Sequence, residues 1–572
     1  MNRYLAVLFL TIFLAGPTPA AATPRDELLR LVPDDVGFCL VVQDLREHLA
    51  ALADSPLAVA VKASPIAKVV GNAPEVAQLS AVEKILKEHL GTDFAQLRDD
   101  ILGDAVVFAY RPGPPGKPEQ DQGLVLIRAR NAILLAGLVD RLNQLQLKLG
   151  ELTRLEERQH NGTKYFSRVE RNQPMTYYAV RGNVLFFAPH EPILKNALDL
   201  DRTAKPADAE TPLLAKNLKQ LGADKALLSL WINPRAFDAE LKQKATTAPA
   251  GEAAFLKHFQ TYWQALEGVA LSVVLNKDLE VNVAARVRRE SLSLTAQKFL
   301  SEAAKPSEVW NAVPRDALFA AATRIDMAAL KELLMEFVDA DTLRAMVANF
   351  DQQAGPTIGK TLRQLAPQLG PDVGFYVAAP PAGSKHWVPD VVWAARVQPG
   401  APARPTEQTL HDMLNFFANL AVLEHNAKGG DRITLKSVQQ DKVEVKYFAN
   451  DRQFPAGFQP AFAVKDGWWL VGSSPEALGR FAPRSAPSMT ADETPIARLS
   501  VAALRAYLKQ HRDALTSAIS EKNQIPRLEA ATQLERLLTA LQVIDAVDLI
   551  QRPSAGQVIL TLRIKPSQPL RK

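Results

Sequence analysis

A pattern in the first half of this 572-residue chain returns in the second half, in the same order and at a nearly constant distance. Four short segments match at offsets of 281 to 284 residues: 32–38 with 313–319, 164–166 with 446–448, 179–181 with 463–465, and 208–212 with 492–495. Chance matches would not keep both order and spacing. The chain is therefore predicted to contain two copies of one fold.

The repeat sets the expected domain boundaries. We expect two tandem homologous lobes, residues 25–288 and residues 307–567, joined by a linker at residues 289–306. The linker ends in Ala303-Ala304-Lys305-Pro306, and residues 292–299 are expected to form a short connecting helix. The length agrees with this division, because 572 residues give room for two to four domains.

Both copies show the same succession of local patterns. An apolar run leads to Asp44 in the first copy and to Asp326 in the second, where a carboxylate suits the cap of the following helix. Two strands then flank a proline-rich loop, at residues 112–116 and 380–383, before a long amphipathic helix and several alternating strands. Helices mixed with hairpins, without sustained βαβ alternation, predict an α+β fold with mainly antiparallel sheets.

Short dipeptides give the most specific local predictions. Asn161-Gly162, Gly182-Asn183 and Asp466-Gly467 separate apolar runs and predict tight hairpin turns. Asn161-Gly162-Thr163 also fits the N-glycosylation triplet, but that triplet is short and common, so the turn is the preferred interpretation. In Trp468-Trp469, adjacent strand residues face opposite sides, so one ring is expected in the core and the other exposed or under a helix.

The N-terminus is predicted to be a signal peptide, residues 1–22. Arg3 supplies the positive charge, residues 5–15 are apolar but too short to span a bilayer, and Ala20-Ala21-Ala22 offers small residues for cleavage. No later stretch approaches the roughly 18 apolar residues of a transmembrane helix. The mature protein is expected to be exported, periplasmic or secreted, with no transmembrane segment.

Charge and cysteine content narrow the function classes. The net charge of +5 comes from basic residues interleaved with acidic ones, which argues against a nucleic-acid partner and only hints at an anionic one. Cys39 is the single cysteine, so no intrachain disulfide can form. It lies in an apolar strand pattern, where a buried and inert thiol is expected.

No reaction can be read from the sequence. It contains no cysteine pair, His-Glu-x-x-His motif, phosphate-binding loop or nucleophile elbow, and no two histidines have metal-ligand spacing. The nine histidines are His48, His89, His160, His190, His258, His386, His411, His425 and His511. We therefore assign no catalytic, metal-binding or cofactor-binding residue and expect no cofactor. Lys164 and Lys446 each precede Tyr-Phe and are expected to face outward beside an inward aromatic side chain.

The chain resembles a family of large, duplicated, exported bacterial proteins classed as a domain of unknown function. The resemblance lies in Val-Pro-x-Asp before an apolar strand and an Asp-capped helix, at residues 32–44 and 313–326. It implies no established activity and no catalytic residues.

Three functions remain open. The leading hypothesis is an exported, non-catalytic binding or scaffold protein, because duplication would create a cleft or surface for an unknown protein or a small apolar or anionic ligand. The second is a carrier of lipid or another apolar molecule, since amphipathic helices on hairpin sheets can line a pocket. The third is an exported hydrolase with a non-standard site.

Overall fold

The computed structural model describes residues 23–64, 82–203, 211–338, 340–354, 369–381, 383–384, 386–398, 406–450, 452–483, 493–554 and 556–567. The predicted signal peptide, residues 1–22, lies outside this described part, as does most of the matched segment 208–212. None of the described helices is long and apolar enough to cross a membrane.

Helices and strands are mixed along the described residues, with runs of consecutive strands and of consecutive helices. The helices are α1 Pro24–Leu29, α2 Leu45–Ala53, α3 Pro56–Ala63, α4 Phe94–Gln96, α5 Ala132–Leu149, α6 Glu191–Thr203, α7 Leu213–Gln220, α8 Asp238–Thr247, α9 Ala250–Ala265, α10 Leu294–Ala303, α11 Met327–Phe337, α12 Ala340–Ala354, α13 Thr406–Ala427, α14 Pro475–Gly479, α15 Val501–Gln510, α16 Arg512–Asn523 and α17 Arg527–Ala540.

The strands are β1 Phe38–Gln43, β2 Ala105–Arg111, β3 Gln122–Arg128, β4 Leu152–His160, β5 Thr163–Glu170, β6 Thr176–Arg181, β7 Val184–Ala188, β8 Leu228–Ile232, β9 Leu266–Leu275, β10 Leu279–Val287, β11 Ala317–Arg324, β12 Leu369–Ala378, β13 Asp390–Val397, β14 Thr434–Gln440, β15 Val443–Ala449, β16 Ala461–Lys465, β17 Trp468–Gly472, β18 Thr494–Ser500, β19 Ile544–Ser554 and β20 Gln557–Pro566.

The chain packs into two compact units that interleave along the sequence. The first comprises the described residues within Met1–Ala51, Asn72–Glu240 and Gly268–Val274, and the second those within Leu52–Gly71, Leu241–Glu267 and Leu275–Lys572. These units are defined by packing, whereas the boundaries at residues 288 and 307 concern the repeat in the sequence and stay a prediction. The predicted connecting helix is present as α10, Leu294–Ala303.

In the first unit the strands follow the order β4–β5–β6–β7–β3–β2–β1–β8–β9. In the second unit the order is β14–β15–β16–β17–β13–β12–β11–β18–β19–β20–β10. These neighbours are all antiparallel, which confirms the predicted α+β class and its antiparallel sheets. The first nine strands of the second order repeat the topology of the first unit.

Hairpin register shows which residues occupy equivalent places. The β4–β5 turn is Asn161-Gly162, with φ of +47° and +81°, and the β14–β15 turn is Asp441-Lys442, with φ of +48° and +68°. Positive φ at both central residues is typical of the type I′ turn, whose backbone twist matches that of the flanking strands. Asn-Gly adopts this turn with little strain. The predicted turn at Asn161-Gly162 is thereby confirmed.

The same register corrects one predicted match. Counted from these turns, Lys164 is the second residue of β5 and stands level with Glu444, whereas Lys446 is the fourth residue of β15. The match of Lys164 with Lys446 is therefore wrong, because a three-residue pattern recurred two positions out of register. Segments 179–181 and 463–465 do align, since Arg181 and Lys465 each end a strand before a two-residue turn.

The two helix caps behave differently. Asp326 confirms its prediction, because its carboxylate accepts a hydrogen bond from the Ala329 N–H at 2.9 Å. Asp44 precedes α2 with φ of +50°, and its backbone carbonyl accepts from the His48 N–H at 2.9 Å.

Aromatic side chains mark the two faces of the sheet in the second unit. Trp468 is fully buried and packs edge-on against Phe481, which follows α14, at 5.5 Å. Trp469 points to the other face, beneath α13, where it packs with Leu410 and Val464. The prediction of one core ring and one ring under a helix is confirmed. Cys39 is buried as expected, and burial raises the pKa of its thiol to about 12.

Candidate functional site

An apolar cleft opens between α13 and strands β15–β17 in the second unit. Its volume is about 260 Å³. All of its lining residues carry hydrocarbon side chains: Leu414, Phe417, Ala418, Ala421, Phe448, Pro460, Ala461, Phe462 and Val471. Such a lining offers an environment for an apolar group and supplies no charged or hydrogen-bonding side chain.

Helix α13 is fixed to the sheet on both sides of the cleft. Toward its N-terminus, Leu410 packs with Val397 and Trp469. In its last turn, the Asn426 side chain donates to the Ile433 carbonyl oxygen and accepts from the Ile433 N–H, both at 2.9 Å, directly before β14 begins. Because both ends are held, the helix cannot easily sink onto the sheet at the small side chains between them.

Those small side chains are Ala418 and Ala421, three residues apart on one helix face. A helix places residues i and i+3 on the same side, so both line the cleft. A methyl group spans little of the roughly 10 Å between layers, and larger residues at these two positions would fill the gap. The floor is aromatic, with the Phe448 and Phe462 rings 6.5 Å apart.

The first unit has an equivalent place beneath α5. Leu135 of α5 packs with Ala129 and Val180, as Leu410 of α13 packs with Val397 and Val464. Eight residues after these leucines lie Asn143 and Ala418, and eleven residues after them lie Gln146 and Ala421.

The strand positions correspond in the same way. Tyr178 and Phe462 each stand three residues before the last residue of a strand that enters a two-residue turn. Arg168 and Phe448 are each the sixth residue of their strand. Each of these four polar side chains in the first unit thus has an apolar counterpart in the second.

Polar side chains close the space beneath α5. The Asn143 amide donates to the Tyr178 hydroxyl at 2.9 Å, and both residues are buried. The Arg168 guanidinium, itself only 8% exposed, donates to the Gln146 side-chain oxygen and pairs with Glu170 at 3.2 Å. Burial raises the pKa of the Tyr178 hydroxyl above its ordinary value, so it stays protonated. We call this group, Asn143, Gln146, Arg168 and Tyr178, the polar interlock.

Other described pockets have less uniform linings. In the first unit a pocket of about 420 Å³ mixes Arg30, Asp34 and Lys216 with leucine and proline side chains, so its lining favours no single ligand chemistry. A basic pocket of about 320 Å³ lies at the end of β15 in the second unit.

The residues considered from the sequence do not form one cluster. His160 bonds Asp199 at 2.9 Å, and His411 lies 3.4 Å from Glu444. Within the described ranges, no group of three or more histidine, cysteine or acidic side chains is placed to hold a metal ion. Lys164 faces outward, with 69% of its side chain exposed, and pairs with Glu157 at 2.7 Å.

Sequence reasoning missed the cleft itself. The pattern identified α13 as amphipathic through Leu410, Leu414, Phe417 and Leu420, and the structure leaves Leu420 39% exposed. The signal that would have found the cleft is the pair of alanines at helical spacing, but it becomes informative only by comparison with the polar residues at the equivalent places of the first unit.

Fold and site together define an α+β protein whose antiparallel sheet carries a helix-covered apolar cleft. The chain belongs to the family described as "Protein of unknown function (DUF3352)", whose model matches residues 76–365, just over half of the chain. This confirms the resemblance to a family of unknown function. Comparison with curated proteins gave no match, and comparison with solved structures gave none either.

Proposed function

We propose that this chain is an exported, non-catalytic binding protein built of two homologous lobes, residues 25–288 and 307–567, and that it holds an apolar ligand in the cleft beneath α13. The observation that carries the proposal is the cleft itself, whose lining is entirely hydrocarbon. Export follows from the signal peptide expected at residues 1–22.

Homology of the lobes is supported by topology. Nine strands in each unit follow the same order, including the non-sequential neighbours β3–β7 and β1–β8 in the first unit and β13–β17 and β11–β18 in the second. The match of residues 179–181 with 463–465, which keeps its register in the structure, points the same way. After duplication, one lobe can keep its packing while the other gains a ligand site.

The driving force for binding would be burial of apolar surface. Removing apolar area from water contributes about 25 cal/mol per Å², so a lining of leucine, phenylalanine and alanine favours any hydrocarbon that fits. The volume of about 260 Å³ lies just under the roughly 300–1,000 Å³ typical of sites that enclose a drug-sized ligand. The cleft therefore suits a short hydrocarbon chain or one end of a longer chain. This favours the carrier hypothesis among the three.

Isothermal titration calorimetry of the full mature chain with 1-decanol tests the proposal. We expect saturable binding at one site with a negative heat-capacity change. Ala421→Trp places an indole in the cleft and is expected to abolish this binding. Ala427→Trp makes the same substitution at an exposed position on the same helix, outside the lining, and should leave binding unchanged.

Two outcomes would overturn the proposal. One is the absence of saturable binding by the unaltered chain. The other is equal binding by Ala421→Trp and Ala427→Trp, which would place the ligand elsewhere on the surface.

A further inference from the structure

The basic pocket at the ends of strands β14 and β15 is a site of its own. Its volume is about 320 Å³. It shares no lining residue with the apolar cleft, and the side chains of Phe448 in the cleft and Ala449 in the pocket point to opposite faces of β15. Apart from Ala449, every described residue of its lining carries a charged, hydroxyl or amide side chain. The pocket therefore favours a polar ligand.

Positive charge dominates this lining. Arg432, Lys436 and Arg452 contribute three cations, and Asp431 contributes one carboxylate. Arg452 pairs with that carboxylate at 3.2 Å. Within the part of the chain that the structure describes, Arg432 and Lys436 form no ion pair. Two positive charges thus have no counter-charge among these residues, and a concave surface of this kind attracts anions.

The first unit neutralises its charges at the corresponding place. Lys436 stands opposite the fifth residue of β15, and Glu156 stands opposite the fifth residue of β5, so the two positions are equivalent. Glu156 pairs with Arg154 at 3.1 Å and with Arg158 at 3.3 Å. Because both units build the same hairpin, its folding does not require an unpaired lysine at this position.

Side-chain hydrogen bonds hold the backbone on both sides of the pocket. The Asn450 side-chain oxygen accepts from the Arg452 N–H at 2.9 Å, and its amide donates to the Asp431 carbonyl oxygen at 3.2 Å. The Asn426 side chain holds both backbone groups of Ile433 at 2.9 Å. The backbone segments that carry the two arginines are thus fixed in the protein alone, so less ordering entropy is lost when a ligand binds.

We propose that the basic pocket binds a small hydroxylated anion, whose phosphate or carboxylate group is held by Arg432, Lys436 and Arg452. Arginine can hold either oxyanion through paired N–H groups, and lysine adds a point charge. The volume of about 320 Å³ lies at the lower end of the roughly 300–1,000 Å³ typical of small-molecule sites, so it has room for a polar body beside the charged group. This site is separate from the cleft, and the proposal does not depend on the apolar ligand.

Three probes that share one sugar skeleton separate the charged group from the hydroxylated body: glucose 6-phosphate, glucuronate and glucose. Each is titrated into the full mature chain at low ionic strength, and binding is measured by isothermal titration calorimetry. Both anions are expected to bind saturably and at least about tenfold more tightly than glucose, because hydrogen bonds between charged partners are the strong ones. The tighter of the two anions identifies the preferred group as phosphate or carboxylate.

Lys436→Glu should bring the affinity for both anions close to that for glucose. Because this lysine is exposed, the variant should keep its circular dichroism spectrum. The matched control is Lys428→Glu, the same charge reversal at an exposed lysine that lies outside the pocket lining and pairs with Glu424 at 2.8 Å, and it should retain the preference for anions.

Asp431→Asn changes the charge of the lining in the opposite direction. It removes the carboxylate that pairs with Arg452, and should therefore tighten the binding of both anions by about twofold or more. A variant that merely disturbed the folded pocket would weaken binding, so the direction of the change separates an electrostatic role from a structural one.

Three outcomes would overturn the proposal: no saturable binding of either anion, equal affinity for all three sugars, or an anion preference that survives Lys436→Glu. A preference that Lys428→Glu abolishes as well would also overturn it, since the effect would then come from the overall charge of the protein. Ala421→Trp, which fills the cleft, should leave the binding of both anions unchanged. Failure of this site and failure of the cleft are therefore distinguishable.

Discussion

The space beneath α5 and the space beneath α13 occupy the same place in one topology and are filled in opposite ways. Beneath α5, hydrogen-bonded polar side chains fill the gap between helix and sheet. Beneath α13, alanine and phenylalanine stand at the same positions, and the gap stays open. Four side chains therefore distinguish a closed helix–sheet contact in the first unit from an open apolar cleft in the second.

The physical reason is that the helix position is fixed elsewhere. Leu135 and Leu410 anchor their helices on corresponding apolar clusters, so exchanging residues further along the helix does not let it collapse. A buried polar pair specifies one arrangement because each unpaired partner would be costly. The apolar side chains at the equivalent positions of the second unit need no hydrogen-bond partner, and they leave an open volume between helix and sheet.

The largest effect is expected when the interlock loses its charge. Arg168→Ala removes the buried donor to Gln146 and the partner of Glu170, and should lower the free energy of unfolding by about 2–3 kcal/mol. Denaturant unfolding monitored by circular dichroism measures the change. The control is Arg154→Ala, which removes an exposed arginine on β4, the strand next to β5. Arg154 pairs with Glu156 on the same strand, and its loss should change the free energy of unfolding by less than about 1 kcal/mol. Equal losses in the two variants would refute the importance of the interlock.

A smaller effect is expected when the neutral pair is broken. Tyr178→Phe leaves the buried Asn143 amide without its acceptor and should cost about 1–2 kcal/mol. Adding Asn143→Ala removes that amide, so the double variant should be less destabilised than the sum of the single variants. A double-mutant cycle from denaturant unfolding measures the coupling. Strict additivity would show that the two side chains do not act as a pair.

The reciprocal exchange in the second unit sharpens the comparison. Ala418→Asn buries an amide opposite the Phe462 ring and should cost about 1 kcal/mol while reducing decanol binding. Combining it with Phe462→Tyr supplies the missing hydroxyl, so stability should recover while binding stays lost. Thermal unfolding and calorimetry together test this. Recovery of binding in the double variant would contradict the idea that the interlock and the cleft exclude each other.

The smallest effect concerns pH at the start of α6. A hydrogen bond from the Tyr165 hydroxyl, aided by Lys195 and Arg158 at 3.3 Å, lowers the pKa of Glu191 below its ordinary value. A lowered pKa means that the stabilisation is present at neutral pH and is lost as the pH falls through the lowered value.

Glu191→Gln should therefore reduce the difference in unfolding free energy between pH 7 and pH 3 by less than about 1 kcal/mol. Helix α14 in the second unit begins instead with a cap that does not titrate, since the Ser474 hydroxyl accepts from the Ala477 N–H at 3.0 Å. Glu157→Gln, at an exposed ion pair on β4, is the control. Urea unfolding at several pH values compares the variants, and an unchanged pH profile in Glu191→Gln would count against this account.

Much of the fold was accessible from sequence because local chemistry determines it. The pair Asn161-Gly162 predicted its turn because few residues accept positive φ twice in succession. Asp326 predicted its cap because a short carboxylate reaches the free N–H groups of a helix end. The antiparallel class followed from the many hairpins.

The remainder depends on side chains that meet only after folding. Register around Lys164 and Lys446 is set by turn geometry and not by the three matching letters, so the sequence match was misplaced by two residues. The interleaved compact units follow from long-range packing. The cleft combines one helix with three strands, and its decisive residues, Ala418 and Ala421, are unremarkable in any sequence pattern.

The two indole rings below α13 give this molecule an optical reporter of its own. Trp393 and Trp469 meet edge to face at 4.9 Å, and Trp469 packs against the anchored end of the helix that covers the cleft. A ligand in the cleft would contact Val471, which lies two residues from Trp469 on the same face of β17, and indole emission responds to such a change of surroundings. If the cleft binds a ligand, intrinsic fluorescence can follow its occupancy without an attached dye, and Trp469→Phe is the reference that keeps only the emission of the other six tryptophans.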